Sequence, residues 1–273
     1  MDEFDLSIED KCRISAASAE GAGEFQTISA PERALPDKTY LINFYHRYGL
    51  PQKALDRFSR CTTKCPTHNP NTTFDAATVA TFRMGAHAFS CPCLGSLEGH
   101  DAVLSEVEQW FSRTHSISAT RDANQCHLTD GKRLDSVVKD WATSRFSGLG
   151  LDITIVCATA PSYTTDAHAA DSTKLLRDAT AAKHAKHAAD CHAQQYEYAT
   201  AAWSTLGGMG GEFLHKYFNP YYQQARAKAK AAGESVHAVS QERQMWCERF
   251  AAAIAVRNRR MLDRTRDANS IAA

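Results

Sequence analysis

Leu151-Asp152-Ile153-Thr154-Ile155-Val156 is the stretch that decides the fold. Leu151, Ile153 and Ile155 alternate with Asp152, Thr154 and Val156, the period-2 pattern of a strand. Gly148 and Gly150 close the loop before it. A second short apolar segment, Arg133-Leu134-Asp135-Ser136-Val137-Val138, precedes that loop. The short separation between Asp135 and Asp152 suits an antiparallel hairpin, with 134–139 and 151–157 as adjacent strands. Downstream, 166–195 is Ala-rich and free of Pro and Gly, which predicts one long helix packed on the sheet. The aromatic run Tyr196 to Trp203 reads as a further strand. Upstream, Ala102, Val103, Val107, Trp110 and Phe111 fall on one helical side. The order helix–strand–strand–helix–strand gives a mixed α/β fold over 99–218.

Around this centre the chain changes character. Residues 1–36 mix acids, Ser, Ala and Gly with little periodicity and are expected to be disordered. Residues 37–98 form a lead-in. Two short helices are expected over 38–58, broken at Pro51, followed by a loop-rich segment over 59–95 that needs a staple to stay ordered. The glycine cluster 207–211 reads as a loop. Residues 219–273 supply C-terminal helices: one over 212–232 with a break at Pro220, and one over 238–264 with an apolar stripe of Met245, Trp246, Phe250, Ile254 and Met261.

The formal net charge of the 273 residues is zero, which removes any global electrostatic case for nucleic acid and leaves only local patches. Lys183 to Lys186 is one such patch. Arg226 to Lys230 and Arg257 to Arg266 read first as solvated helix faces. The 43% hydrophobic fraction allows a sizeable core. The acidic start Met1-Asp2-Glu3-Phe4-Asp5 has no apolar signal core, and no stretch approaches the roughly 20 apolar residues of a membrane span. The expectation is an intracellular protein without membrane contact, in which Cys12, Cys126, Cys157, Cys191 and Cys247 are plain buried thiols.

Four further residues have metal-ligand spacing. Cys61 and Cys65 form one pair and His87 and Cys91 another, each pair spanning about one turn. Such a Cys3His set suits tetrahedral Zn²⁺ as a structural staple, with Cys93, His68 and His100 as possible substitutes. A second constellation carries chemistry. Asp152 and Thr154 point to the same side of their strand, and Asp135 can meet Asp152 across the hairpin. Two carboxylates there repel unless a cation sits between them. Mg²⁺ is content with one or two carboxylates plus water and phosphate. Lys183 shares one helix face with His187 at i, i+4, and it or Lys186 can supply a cation beside a scissile phosphodiester.

Taken in order, Cys61-x3-Cys65, Gly85-Ala86-His87-Ala88-Phe89-Ser90-Cys91, Gly99-His100-Asp101, Gly131-Lys132-Arg133-Leu134-Asp135, Leu151-Asp152-Ile153-Thr154 and Lys183-x2-Lys186 resemble the C-terminal region of non-LTR retrotransposon proteins that carry a restriction-enzyme-like endonuclease. The resemblance covers about 55 to 215. It implies a PD-(D/E)XK fold preceded by a zinc knuckle, DNA nicking at a target site, DNA and element RNA as partners, and a nuclear location. Under it, Asp135 and Asp152 hold magnesium, Lys183 is the catalytic lysine displaced from strand to helix, Lys186 is the fallback, and Thr154 occupies the usual lysine position. Leu134 stands where the family has proline, and Ser204 where it has glutamate. The resemblance therefore implies an active nickase or a truncated, inactive copy. The alternative is a non-catalytic, zinc-stapled module that binds nucleic acid or protein.

Overall fold

The computed structural model describes residues 6–26, 34–52, 86–91, 96–122, 126–128, 131–141 and 145–270. Among them a five-stranded mixed sheet is flanked by helices, with strand order β1-β2-β3-β4-β5. The strands are β1 (Ala119–Thr120), β2 (Ser136–Val138), β3 (Gly148–Val156), β4 (Tyr196–Ser204) and β5 (Met209–Gly210). The expected hairpin is present: β2 and β3 are antiparallel, with Ser136 opposite Leu151 and Val138 opposite Leu149. The expected strand at Tyr196 is also present. It runs parallel to β3, with Asp152 opposite Thr200. A parallel neighbour requires a crossover connection. The Ala-rich segment provides it, but as two helices, α5 (Asp166–Ala170) and α6 (Lys174–Ala193). The expected single helix is interrupted because the Asp171 carboxylate accepts the Thr173 amide at 2.8 Å and its hydroxyl at 2.7 Å, a local turn that competes with the helix ladder.

Alternation along β3 sorts its side chains to two faces. Leu149, Leu151 and Ile153 are buried against Val103, Leu104, Val107, Trp110 and Phe111 of α4 (Ser96–His115). The same core takes Ala199, Ala201 and Trp203 from β4, and Trp246, Phe250 and Ile254 from the C-terminal helix His237–Ser270. Burial of each large apolar side chain contributes about 1.5–3 kcal/mol, so this face carries much of the stability. The opposite face meets α6. Leu175, Ala179, Lys183, His187 and Cys191 recur every four residues along α6, and all but Lys183 are buried. The helix lies close to the strand because position 150 is glycine. A Cβ there would come within 2.6 Å of Cys191 Sγ and 2.7 Å of a Leu134 methyl.

Several expectations outside the sheet need correction. Within the stretch expected to be disordered, Ile8–Ala17 is helix α1, capped by Ser7 and anchored by buried Cys12 and Ala16. Only part of the lead-in is described: α2 (Asp37–Tyr48) forms, and the second expected helix lies outside the described residues. The glycine cluster is not wholly loop, since Met209 and Gly210 pair with Trp203 and Ala202. Before Pro220 the chain winds as a π-helix over Phe213–Phe218, closed by an Asn219 amide that donates to Leu214 O. Helix α7 (Asn219–Ala231) then starts with Pro220 in its first turn, where the missing N–H costs nothing. Arg257, expected on a solvated face, is 3% exposed and donates to Phe89 O at 3.3 Å and Asn258 Oδ1 at 3.2 Å. The five scattered cysteines are buried free thiols, as expected. No described helix is long and apolar enough to cross a membrane.

Candidate active site

Asp135 sits one residue before β2, at the point where the hairpin strands begin to separate. Its amide donates to Leu151 O at 3.1 Å, and its carboxylate turns inward to accept the Ile153 amide at 2.7 Å. The short span of β2 leaves this carboxylate on the polar side of β3. His100, in the first turns of α4, places Nε2 2.9 Å from the same Asp135 oxygen. Asp152 lies in the middle of β3 and, by strand alternation, points at α6, where it is almost fully buried. Lys183 Nζ donates to Asp152 Oδ1 at 2.8 Å. The other oxygen, Oδ2, accepts the Tyr198 hydroxyl at 3.2 Å and stands 3.3 Å from His187 Nε2. The two carboxyl groups themselves are within hydrogen-bonding reach of each other.

This packing splits the two acids electrostatically. Burial raises the pKa of Asp135. Hydrogen bonds from His100 and Asp152, the His100 charge and the Ile153 amide overcome it and hold the carboxyl well below the usual range. Asp152 moves the other way: burial, its hydrogen bond to Asp135 and that neighbour's charge push it up against the pull of Lys183. Burial lowers the His100 pKa, but Asp135 more than compensates and keeps the imidazole charged more readily than usual. His187 is lowered by burial and then by the charges of Lys186, Lys183 and Lys132. Its Nδ1 is buried without a partner among the described residues. The centre thus sets a carboxyl held toward the ionised form beside a second one pushed toward the protonated form, with Lys183 against the second.

The structure brings Asp135, Asp152 and Lys183 together. Lys186 is exposed one turn along α6 and contributes only its field. Of the zinc set, His87 lies on the short helix α3 (Ala86–Ser90) and Cys91 directly follows it, its amide donating to His87 O at 2.8 Å. Cys61 and Cys65, like the substitutes Cys93 and His68, lie outside the described residues. His100, weighed as a substitute zinc ligand, is instead engaged by Asp135.

Sequence reasoning missed His100 and Tyr198 as carboxylate partners, and a brace beside them. In that brace Arg121 forks onto Glu108, with Nη2 at 2.6 Å, and the Ser136 hydroxyl donates to Glu108 at 2.7 Å. The period-2 pattern of 196–203 could have placed Tyr198 opposite the helix. Nothing local announces the other contacts.

Among the described residues no three of His, Cys, Asp and Glu are grouped to hold a metal. The acidic pair alone could offer a metal only two carboxylates. That composition fits Mg²⁺, which takes its remaining ligands from water and phosphate, and does not fit a closed zinc site. Comparison with protein-family models, with curated proteins and with solved structures found no match to this chain.

Proposed function

We propose that this chain is a Mg²⁺-dependent endodeoxyribonuclease of PD-(D/E)XK type that nicks DNA at a target site, or an inactive copy of one, derived from a non-LTR retrotransposon protein. The convergence of Asp135, Asp152 and Lys183 in one pocket supports this reading most strongly. The order α4-β2-β3-α6-β4 is what such an enzyme needs to place two acids on adjacent strands and a cation on the helix over them. Lys183 stands in for the strand lysine, since Thr154 occupies that place. Asp135 and Asp152 would hold Mg²⁺, which would supply charge neutralisation at the phosphate and a more acidic water. The chain's own residues do the rest. Asp135 is held ionised by His100 and the Ile153 amide. Asp152, pushed toward the protonated form by burial and by Asp135, would be the second carboxylate to hold the ion. The Lys183 ammonium faces the charge that develops on a phosphate. In the same reading Cys61, Cys65, His87 and Cys91 form a zinc knuckle ahead of the nuclease, DNA and element RNA are the partners, and the protein works in the nucleus.

A supercoiled-plasmid nicking assay with Mg²⁺ tests this reading. Wild type is expected to convert supercoiled to open circular DNA, Asp152→Ala to abolish conversion, and Lys183→Ala to slow it roughly 100-fold, the scale of losing one electrostatic stabiliser. Nicking that persists in Asp152→Ala overturns the site. A folded wild type that retains DNA in a gel shift without cutting it favours the inactive copy or binding module.

A further inference from the structure

An open cavity of about 640 Å³ lies beside α6, bordered by α6, β5, the π-helix and Ala19 and Glu20 just after α1. We propose that it binds a nucleoside monophosphate, with the base against its apolar floor and the phosphate at its basic rim. The volume lies inside the roughly 300–1,000 Å³ range of small-molecule sites. Leu176, Met209 and Leu214 form the floor. Its shape depends on two glycines. A Cβ at Gly210 would come within 2.8 Å of Leu176 Cβ, and Gly211, at φ +78°, leaves no room for one beside Thr200 O, 2.3 Å away.

Lys216 gives the rim a cation for the phosphate. Of the two acids of the wall, Glu20 is paired with Arg243, while Glu212 accepts the Thr200 amide at 3.0 Å and keeps its charge. Arg177 is likewise held by Asp171 at 2.7 Å. His184, His215 and Lys216 are exposed and form no ion pair among the described residues. The π-helix presents the latter two. Its i→i−5 bond from Asn219 to Leu214 widens the turn, and such widened turns recur at functional sites.

The floor selects an aromatic group with polar edges over a hydrocarbon tail. Thr180, Glu212 and the Gly210–Gly211 segment line it, and a lipid chain would desolvate their polar groups without replacing lost hydrogen bonds. His184 offers a ring to stack on, held edge-on against Tyr198 at 5.6 Å between centroids. Tyr198 in turn donates to Asp152 at 3.2 Å, so one tyrosine separates the cavity from the acidic centre.

Isothermal titration of the whole chain with deoxyadenosine monophosphate reads this proposal without any nicking assay, so it stands or falls apart from the nuclease reading. Saturable binding is expected, with deoxyadenosine and inorganic phosphate each at least about 10-fold weaker. Lys216→Ala should weaken the nucleotide about 10-fold, Lys216→Arg should restore it, and Ala181→Trp, which fills the cavity from the exposed side of α6, should abolish it. Circular dichroism checks that these surface variants fold. No binding at millimolar nucleotide, equal binding of deoxyadenosine, or wild-type affinity in Ala181→Trp overturns the proposal. So does loss of binding in Asp152→Ala with retention in Lys216→Ala, which would place the nucleotide at the acidic centre.

Discussion

The two faces of β3 are one residue apart in sequence and opposite in character. Leu149, Leu151 and Ile153 enter an apolar core of α4, β4 and C-terminal helix side chains. Gly150 and Asp152 face α6, where Lys183, His187 and Tyr198 surround a carboxyl that burial disfavours as an ion. The first face lowers the free energy of folding. The second costs free energy and holds together only because the first is secure. A strand between two helical layers can therefore carry stability and a reactive centre at once, with alternate residues assigned to each.

The sharpest way to break this comparison is to cut into the apolar face. Leu151 is fully buried, so Leu151→Ala removes both transfer free energy and packing and is expected to destabilise the fold by about 3 kcal/mol in urea denaturation. Asp152→Asn, one residue away, should shift stability by less than about 1 kcal/mol, because asparagine keeps the size and polarity of a carboxyl that burial disfavours as an ion. Equal losses at 151 and 152 would show that the division by face does not hold.

A buried polar group away from α6 gives the second test. His46, on α2, lies 2.8 Å from Thr205 Oγ1, and its pKa is lowered to about 3 by burial, then by Arg13 and Arg257. A depressed histidine pKa means that the unfolded chain binds the proton first. The contribution is fully present above 6.5, the ordinary value, and is lost as pH falls from there toward about 3. Stability should drop by up to about 1.4 kcal/mol per pH unit below 6.5 from this group, and His46→Gln should flatten that part of the profile while leaving nicking at neutral pH intact. An unchanged slope in the variant would assign the acid sensitivity elsewhere. The smallest effect is expected at Lys186, exposed on α6: Lys186→Ala should change stability by less than about 0.5 kcal/mol and leave Lys183 as the dominant cation. A loss of nicking equal to that of Lys183→Ala would restore Lys186 as a working residue.

Much of the centre was legible in the chain because it rests on periodicity. Alternation over 151–156 places Asp152 on one face, the short connection from 135 brings the second acid across a hairpin, and four-residue spacing puts Lys183 and His187 on one side of α6. What was not legible depends on distant geometry. His100 reaches Asp135 only because α4 crosses the hairpin at that height. Tyr198 reaches Asp152 only because β4 runs parallel to β3 in this register. The order in 8–17 escaped notice because small residues such as Ala16 bury well while contributing little to an apolar pattern. The break at 171–173 could have been seen, since Asp-Ser-Thr is turn chemistry within an otherwise helical run.

The lysine that meets Asp152 arrives on a connecting helix and not on a strand, so it is aimed by phase. One residue inserted between 174 and 183 would rotate Lys183 by about 100° and swing it out of the pocket. One residue inserted between 157 and 165, ahead of α5, would leave that phase untouched. The connection can therefore lengthen at its beginning and must keep its count in the first turns of α6. Length variants made at these two places would separate tolerance of the fold from tolerance of the reactive centre, without altering any side chain in either.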